Sequence, residues 1–327
     1  MLSIMAAVCL AFYWLFIAQA QKAGTPPNVA GFYSHIVCLG AALGTIMMGR
    51  RWHIVGGALR HHTKLYLLIG LIGGLLATVS INGLPMSSLG SLGILSSTDI
   101  LFTVLFGLII FHERIRWASL IAVATIMIGA GVRIGGGQVE VSRAHQSEMT
   151  AMQKSPAQAE AQRKQLAREH VRRLMGDCMF VIYAILLSLN AFLIKRLLQY
   201  VTWDVILLSN YSFRLIFFAV LSLTWHEFPA SSQLFAANPV VLQKLLAAGA
   251  IMAVQMTLYY NILCMIPVWV VKTFMMCGPV CYFIVEFLAF GKRPSPDVYF
   301  GAFLVLSGAL YILLTDPLFK KTPVEAE

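Results

Sequence analysis

Apolar runs of about 20 residues recur along this 327-residue chain, at 2–20, 28–49, 65–84, 89–111, 117–134, 175–198, 203–225, 242–263, 267–290 and 296–315. A helix needs about that length to cross roughly 30 Å of hydrocarbon. Within lipid each backbone N–H and C=O must find its partner inside the protein, so spans of this length read as helices. The expected fold is an all-α polytopic membrane protein with ten transmembrane helices. Composition agrees: 59% of residues are hydrophobic, 12% are charged and the mean hydropathy is +0.78, against about 25% charged in soluble domains.

The formal net charge of +10 suits a nucleic-acid partner only until the charges are placed. They gather at span ends and in one linker, as charges flanking membrane helices do. The partners expected are therefore membrane lipids and a small-molecule substrate, with no nucleic acid and with a homodimer left open. Five of the six cysteines fall inside apolar runs and Cys264 directly follows one, without a C-x-x-C pair, which reads as packing. No metal site and no cofactor is expected. Ala18-Gln19-Ala20 imitates a cleavage site, but the charged start and short apolar stretch of a signal peptide are missing, so the first run counts as a span.

Residues 135–174 change character: Gly135-Gly136-Gly137 opens a basic, hydrophilic linker that includes QAEAQRKQLAREHVRRL and reads as helical in its second half. It separates a first unit, 1–134, from a second, 175–316, followed by a polar tail, 317–327. Five spans per unit is an odd number. Two units alike in fold must then cross the membrane in opposite directions, an inverted repeat. The residues carry traces of one. FHERIRWASLIAVATIMIGAGV at 111–132 lies without gaps over FGKRPSPDVYFGAFLVLSGALY at 290–311, an offset of 179 that pairs Phe111 with Phe290, Arg114 with Arg293 and Gly129-Ala130 with Gly308-Ala309. At an offset of 178, Tyr33-Ser34 falls on Tyr211-Ser212.

These features resemble the EamA-type branch of the drug/metabolite transporter superfamily over nearly the full chain. In that family a Pro-containing helix leads to a Gly-Glu-like turn and then a Gly-rich helix. Gly278-Pro279 to Gly291-Lys292 follows the second-half pattern with Lys in place of Glu, while His112-Glu113 keeps the first-half Glu and Ile100 replaces its Pro. The resemblance implies a 5+5 inverted-repeat bundle around a central cavity. A more distant likeness is to nucleotide-sugar and triose-phosphate carriers, whose ninth-helix lysine lies 13 to 14 residues before the following Gly. Gly278 takes that place here, and Lys272 stands six residues earlier, so that lysine's role does not carry over.

With the N-terminus inside, short loops and tail hold ten Lys/Arg on the inner side against four outside. Arg133 and the linker's seven basic residues would lie outside, and the resemblance places both termini in the cytoplasm. The membrane itself, plasma, bacterial inner or organellar, is not specified.

Charge at a span centre costs roughly 2.5–3.5 kcal/mol, so it faces a cavity or a partner. Arg214, mid-span in VILLSNYSFRLIFFAVL, offers a permanently ionised fork suited to phosphate or carboxylate, or else an internal ion pair. Lys272 snorkels, pairs, or meets a ligand, and all three satisfy the same desolvation requirement. Asp99 in LGILSSTDILFTVLF is either a counter-ion to one of these cations or a coupling acid, and His35 in GFYSHIVCL titrates near neutrality unless it is a satisfied core group. Tyr33, Asn210, Tyr211 and Tyr260 join Arg214 and Lys272 as the expected substrate-binding set, with interhelical gluing as the alternative. Gly278 and Pro279 form the expected hinge.

No P-loop, HExxH or GxSxG pattern occurs, so enzyme chemistry and ATP-driven pumping are not expected. The reading is a secondary transporter working by alternating access, its substrate an organic anion such as a nucleotide sugar or sugar phosphate. The alternatives are a carrier of neutral or cationic metabolites, or a non-transporting polytopic protein.

Overall fold

A computed structural model of the chain describes residues 2–111, 156–266, 268–275 and 278–291, with isolated positions among 124–128 and 299–311. Twelve α-helices lie among the described residues. The first six are α1 (Leu2–Lys22), α2 (Pro27–Met48), α3 (Trp52–His61), α4 (Thr63–Gly83), α5 (Leu89–Ser96) and α6 (Asp99–Phe111). The second six are α7 (Pro156–Leu197), α8 (Trp203–Thr224), α9 (Glu227–Ala237), α10 (Pro239–Met265), α11 (Val268–Met275) and α12 (Gly278–Phe290).

Among the described residues, seven stretches are long and apolar enough to cross a membrane: Leu2–Lys22, Pro27–Met48, Thr63–Met86, Leu89–Ile109, Lys164–Leu197, Trp203–Thr224 and Pro239–Met265. They coincide with the first four and the sixth to eighth of the expected spans. The ninth is represented by α11 and α12, and the fifth and most of the tenth lie outside the described residues, as do Arg114, Arg293 and the start of the linker. The linker's second half is helical, as expected, but it is not a separate piece. Helix α7 runs unbroken for 42 residues from Pro156 into the sixth span. At 1.5 Å per residue that is about 63 Å, twice the hydrocarbon thickness, so its polar first third projects beyond it.

Local chemistry explains where the helices turn. Gly24 takes a φ of +100 at the end of α1, a conformation open to glycine, and Pro27 then starts α2 at a position where its missing N–H costs nothing. The fourth span is interrupted between α5 and α6. There Ser97 Oγ donates to Gly93 O at 2.8 Å and Thr98 Oγ1 to Leu95 O at 2.7 Å, while the backbone tightens to i→i+3 bonds at Ile100 and Leu101. Ser, Thr and Asp in series compete with the helix for its own backbone groups, and Asp99 restarts it with an acid in the first turn, where the helix dipole favours one.

The two sets of six pack alike. Helix α1 lies along α10 as α7 lies along α4. Helix α2 meets α10 as α8 meets α4; α1 meets α12 as α7 meets α6; and α5 meets α12 as α11 meets α6. Helices α2 and α8 pack on each other. The pieces of the fourth and ninth spans also correspond, α5 and α6 starting 179 positions before α11 and α12.

Close approach is built into these interfaces by glycine. A Cβ on Gly249 of α10 would sit 2.2 Å from the carbonyl oxygen of Ser34 on α2, a backbone atom that has no rotamer to retreat into. Gly249→Ala is expected to push the two helices apart at a cost of about 1–3 kcal/mol, read as a drop in the thermal midpoint of the purified protein. An unchanged midpoint would show that the α2–α10 contact is looser than this.

Candidate functional site

Two buried cations stand among the helices, and their surroundings differ. Lys272 on α11 is 3% exposed, and its Nζ donates to Asp99 Oδ2 on α6 at 2.5 Å. The ammonium also lies 5.7 Å from the ring centroid of Tyr259 on α10. Asp99 is held from behind: Ser188 Oγ on α7 donates to its carbonyl at 2.5 Å, and Thr103 Oγ1 donates to Ser188. Of the readings open for Lys272 and Asp99, the structure selects the mutual ion pair over snorkelling.

The pair borders a cavity of about 70 Å³ whose wall includes Ser96, Ser97, Tyr183, Gln255, Tyr259 and Tyr282. Gln255 Oε1 is buried there without a hydrogen-bond partner. A cavity of this size holds water, not a metabolite, whose pockets run to roughly 300–1,000 Å³. Gly278 lines the same cavity, and a Cβ there would meet only Tyr282 at an ordinary 3.7 Å, so space alone does not require glycine. The ring of Pro279 lies outside the described residues.

Arg214 on α8 is 2% exposed and has no carboxylate within ion-pair distance among the described residues. Its NH1 lies 3.3 Å from His35 Nε2 on α2, its Cζ stands 5.4 Å from the Tyr211 ring centroid, and its Nε has no hydrogen-bond partner. His35 Nδ1 is 2.8 Å from Gly31 O, which fits the Nδ1–H tautomer and leaves Nε2 to accept from the guanidinium. A neutral imidazole in that arrangement orients Arg214 without neutralising it. His35 is thus a positioning group for the cation in this structure.

The remaining expected residues divide. Asn210 Nδ2 donates to Tyr260 Oη at 2.7 Å, joining α8 to α10, and its Oδ1 is buried without a partner. Gly73 of α4 makes the room: a Cβ there would fall 1.9 Å from Asn210 Oδ1. Tyr211 lies beneath Arg214. Tyr33 is set apart, half-buried with its ring edge-to-face on Phe235 of α9 at 5.2 Å. Sequence reasoning missed Tyr183 and Tyr282, because a lone tyrosine in an apolar run gives no sign of facing a charge from another helix. Tyr183 lines the cavity together with Asp99 and Lys272.

Helix ends carry a second layer of polar contacts. Lys195 at the end of α7 donates to the carbonyls of Leu263 and Ile266, the latter at 3.0 Å, closing the end of α10. Gln21 at the end of α1 does likewise to Ile81 O of α4 at 3.1 Å. At the start of α9, burial pushes the Glu227 carboxyl up from its usual range, against the opposing pull of hydrogen bonds from Asn28 and Ser222.

Comparison with known proteins places this architecture. One solved crystal structure superimposes over 98% of this chain and 98% of its own with a TM-score of 0.58 at 15% identity, a likeness of fold. No match was found among curated proteins. Residues 1–133 match the model of the EamA-like transporter family. With its apolar helices, short amphipathic connection and interrupted fourth span, this first-half segment is similar to the EamA-like transporter family of the drug/metabolite transporter superfamily.

Proposed function

We propose that the protein is a secondary transporter that carries a small organic anion, bearing a phosphate or carboxylate, by alternating access between two inverted five-helix halves. One observation carries this reading: of the two cations buried among the described residues, Lys272 is neutralised by Asp99 while Arg214 has no carboxylate within ion-pair distance among those residues. A guanidinium kept in the bundle interior without a counter-ion is costly, and a fork-shaped donor is matched by carboxylate and phosphate oxygens. The exchange of helix contacts between α1–α6 and α7–α12 supports the repeat, and an odd number of spans in each makes it inverted. The 5+5 reading takes the fifth and tenth helices from the apolar runs at 117–134 and 296–315. Both termini then face the cytoplasm. A cationic substrate would need Asp99, whose oxygen is held by Lys272.

The test is a thermal-shift screen of the purified protein against sugar phosphates, dicarboxylates, nucleotide sugars, neutral amino acids and organic amines, followed by uptake into proteoliposomes of whatever stabilises it. Anions should raise the midpoint and be taken up. Stabilisation by amines or neutral amino acids alone would sink the anion reading.

A further inference from the structure

Helices α2 and α8 are fastened to each other at both ends. At one end Arg51, just past α2, places its NH1 3.1 Å from Oδ2 of Asp204 in the first turn of α8. The Asp204 side chain is fully buried, and its Oδ1 accepts from the backbone N–H of Val205 at 3.1 Å, while the Arg51 side chain is 39% exposed. At the other end Asn28, in the first turn of α2, donates from Nδ2 to Glu227 Oε1 at 3.2 Å, just past α8. Ser222 Oγ donates to Glu227 Oε2 at 3.3 Å, and Asn82 Nδ2 to Asn28 Oδ1 at 3.0 Å.

The two fastenings are images of each other. Asn28 precedes Asp204, and Arg51 precedes Glu227, by the same 176 positions. In each, the start of one helix is tied to the residue just beyond the end of the other, with the acid on the starting helix in one case and past the end in the other. Asn28 and Arg51 lie at opposite ends of α2, about 35 Å apart along its axis. Between them the helices meet where His35 touches Arg214 and where Gly31 lets the Phe218 ring approach, a Cβ there falling 2.5 Å from Cζ of that ring. Beside this contact, the cavity of about 70 Å³ next to Lys272 is walled by α1, α5, α6, α7, α10, α11 and α12.

We propose that these two clasps, Arg51–Asp204 and Asn28–Glu227, are the opposite gates of the carrier, released one at a time as α2 and α8 scissor about their contact at His35 and Arg214. This rests on the transport reading. Each clasp is made of a few polar contacts at a helix end, with one member fully buried, and each joins the half-molecules and not two parts of one half. Losing one should therefore bias the bundle towards opening at that face alone.

The experiment needs no substrate. A single reporter thiol, Ser97→Cys in the cavity wall, is placed in a chain whose six native cysteines are replaced, and a membrane-impermeant maleimide is applied to either side of sealed vesicles. The parent should react slowly from both sides. Arg51→Ala should raise the rate at least fivefold from the face where α2 ends and not from the other. Glu227→Ala should do the reverse. The exchanged pair Arg51→Asp with Asp204→Arg should return the slow rate, showing that the contact and not general damage is responsible. Rates unchanged by both single variants, raised equally from both faces, or left high in the exchanged pair would overturn the proposal. Failure to find any transported anion leaves this readout intact, so the two ideas fall separately.

Discussion

Replacing Arg214 with Met should abolish transport of the stabilising anion while leaving the purified protein as heat-stable as the parent, or more so. The two halves of this expectation come from the same fact. A buried guanidinium with a neutral imidazole and an aromatic ring for company, and no carboxylate among the described residues, contributes desolvation cost without a paired charge to offset it. An apolar side chain of similar length removes that cost. Losing the cation on which an anion rests, by contrast, costs about 2–5 kcal/mol of binding, or about 30- to 5,000-fold. The measurements are uptake into proteoliposomes, the thermal midpoint without ligand, and the midpoint shift on adding the anion. A midpoint that falls by many degrees would make Arg214 a structural residue. Unchanged uptake would remove it from the site.

The Lys272–Asp99 pair should behave in the opposite way. Lys272→Met strands a carboxylate at the start of α6, and Asp99→Asn strands an ammonium among tyrosines, so each single change should lower stability by about 3–5 kcal/mol. The double variant, Lys272→Met with Asp99→Asn, leaves no lone charge and should recover most of that loss. A double-mutant cycle on reversible unfolding in detergent measures the recovery directly. Losses that simply add would show that the two groups do not depend on each other, against the 2.5 Å contact between them. This contrast between the two cations is the sharpest distinction that the structure draws inside the membrane.

Much of the fold was legible because lipid imposes a strong rule on sequence. Runs of about 20 apolar residues have no solvent to satisfy a bare backbone, so they read as helices, and seven of the expected spans reappear as long helices among the described residues. The interruption of the fourth span was less visible, since LSSTD in 95–99 looks like any polar dash in an apolar run. It takes the back-bonded hydroxyls of Ser97 and Thr98 to turn those residues into a restart of the helix at Asp99.

The site was legible as a set of residue types and not as an arrangement. Arg214, Lys272 and Asp99 stood out because charge at membrane depth is expensive wherever it occurs. Which acid met which base was open, since Asp99 and Lys272 are 173 positions apart and the distance between helices is not written in either one's neighbours. Tyr33 carried the same polar signature as Tyr211, yet it packs on Phe235 while Tyr211 lies under Arg214, a difference set by which face of its helix each occupies.

By itself, then, the sequence determined that the chain lives in a bilayer as helices and that three charges within it need partners, because both follow from the cost of bare polar groups in hydrocarbon. Only the tertiary structure decided that Lys272 is matched by Asp99 while Arg214 meets no carboxylate among the described residues, and that α2 and α8 are tied at both ends. Pairing is a property of distances across helices, and those distances come from how glycines such as Gly31, Gly73 and Gly249 let one helix settle against the next.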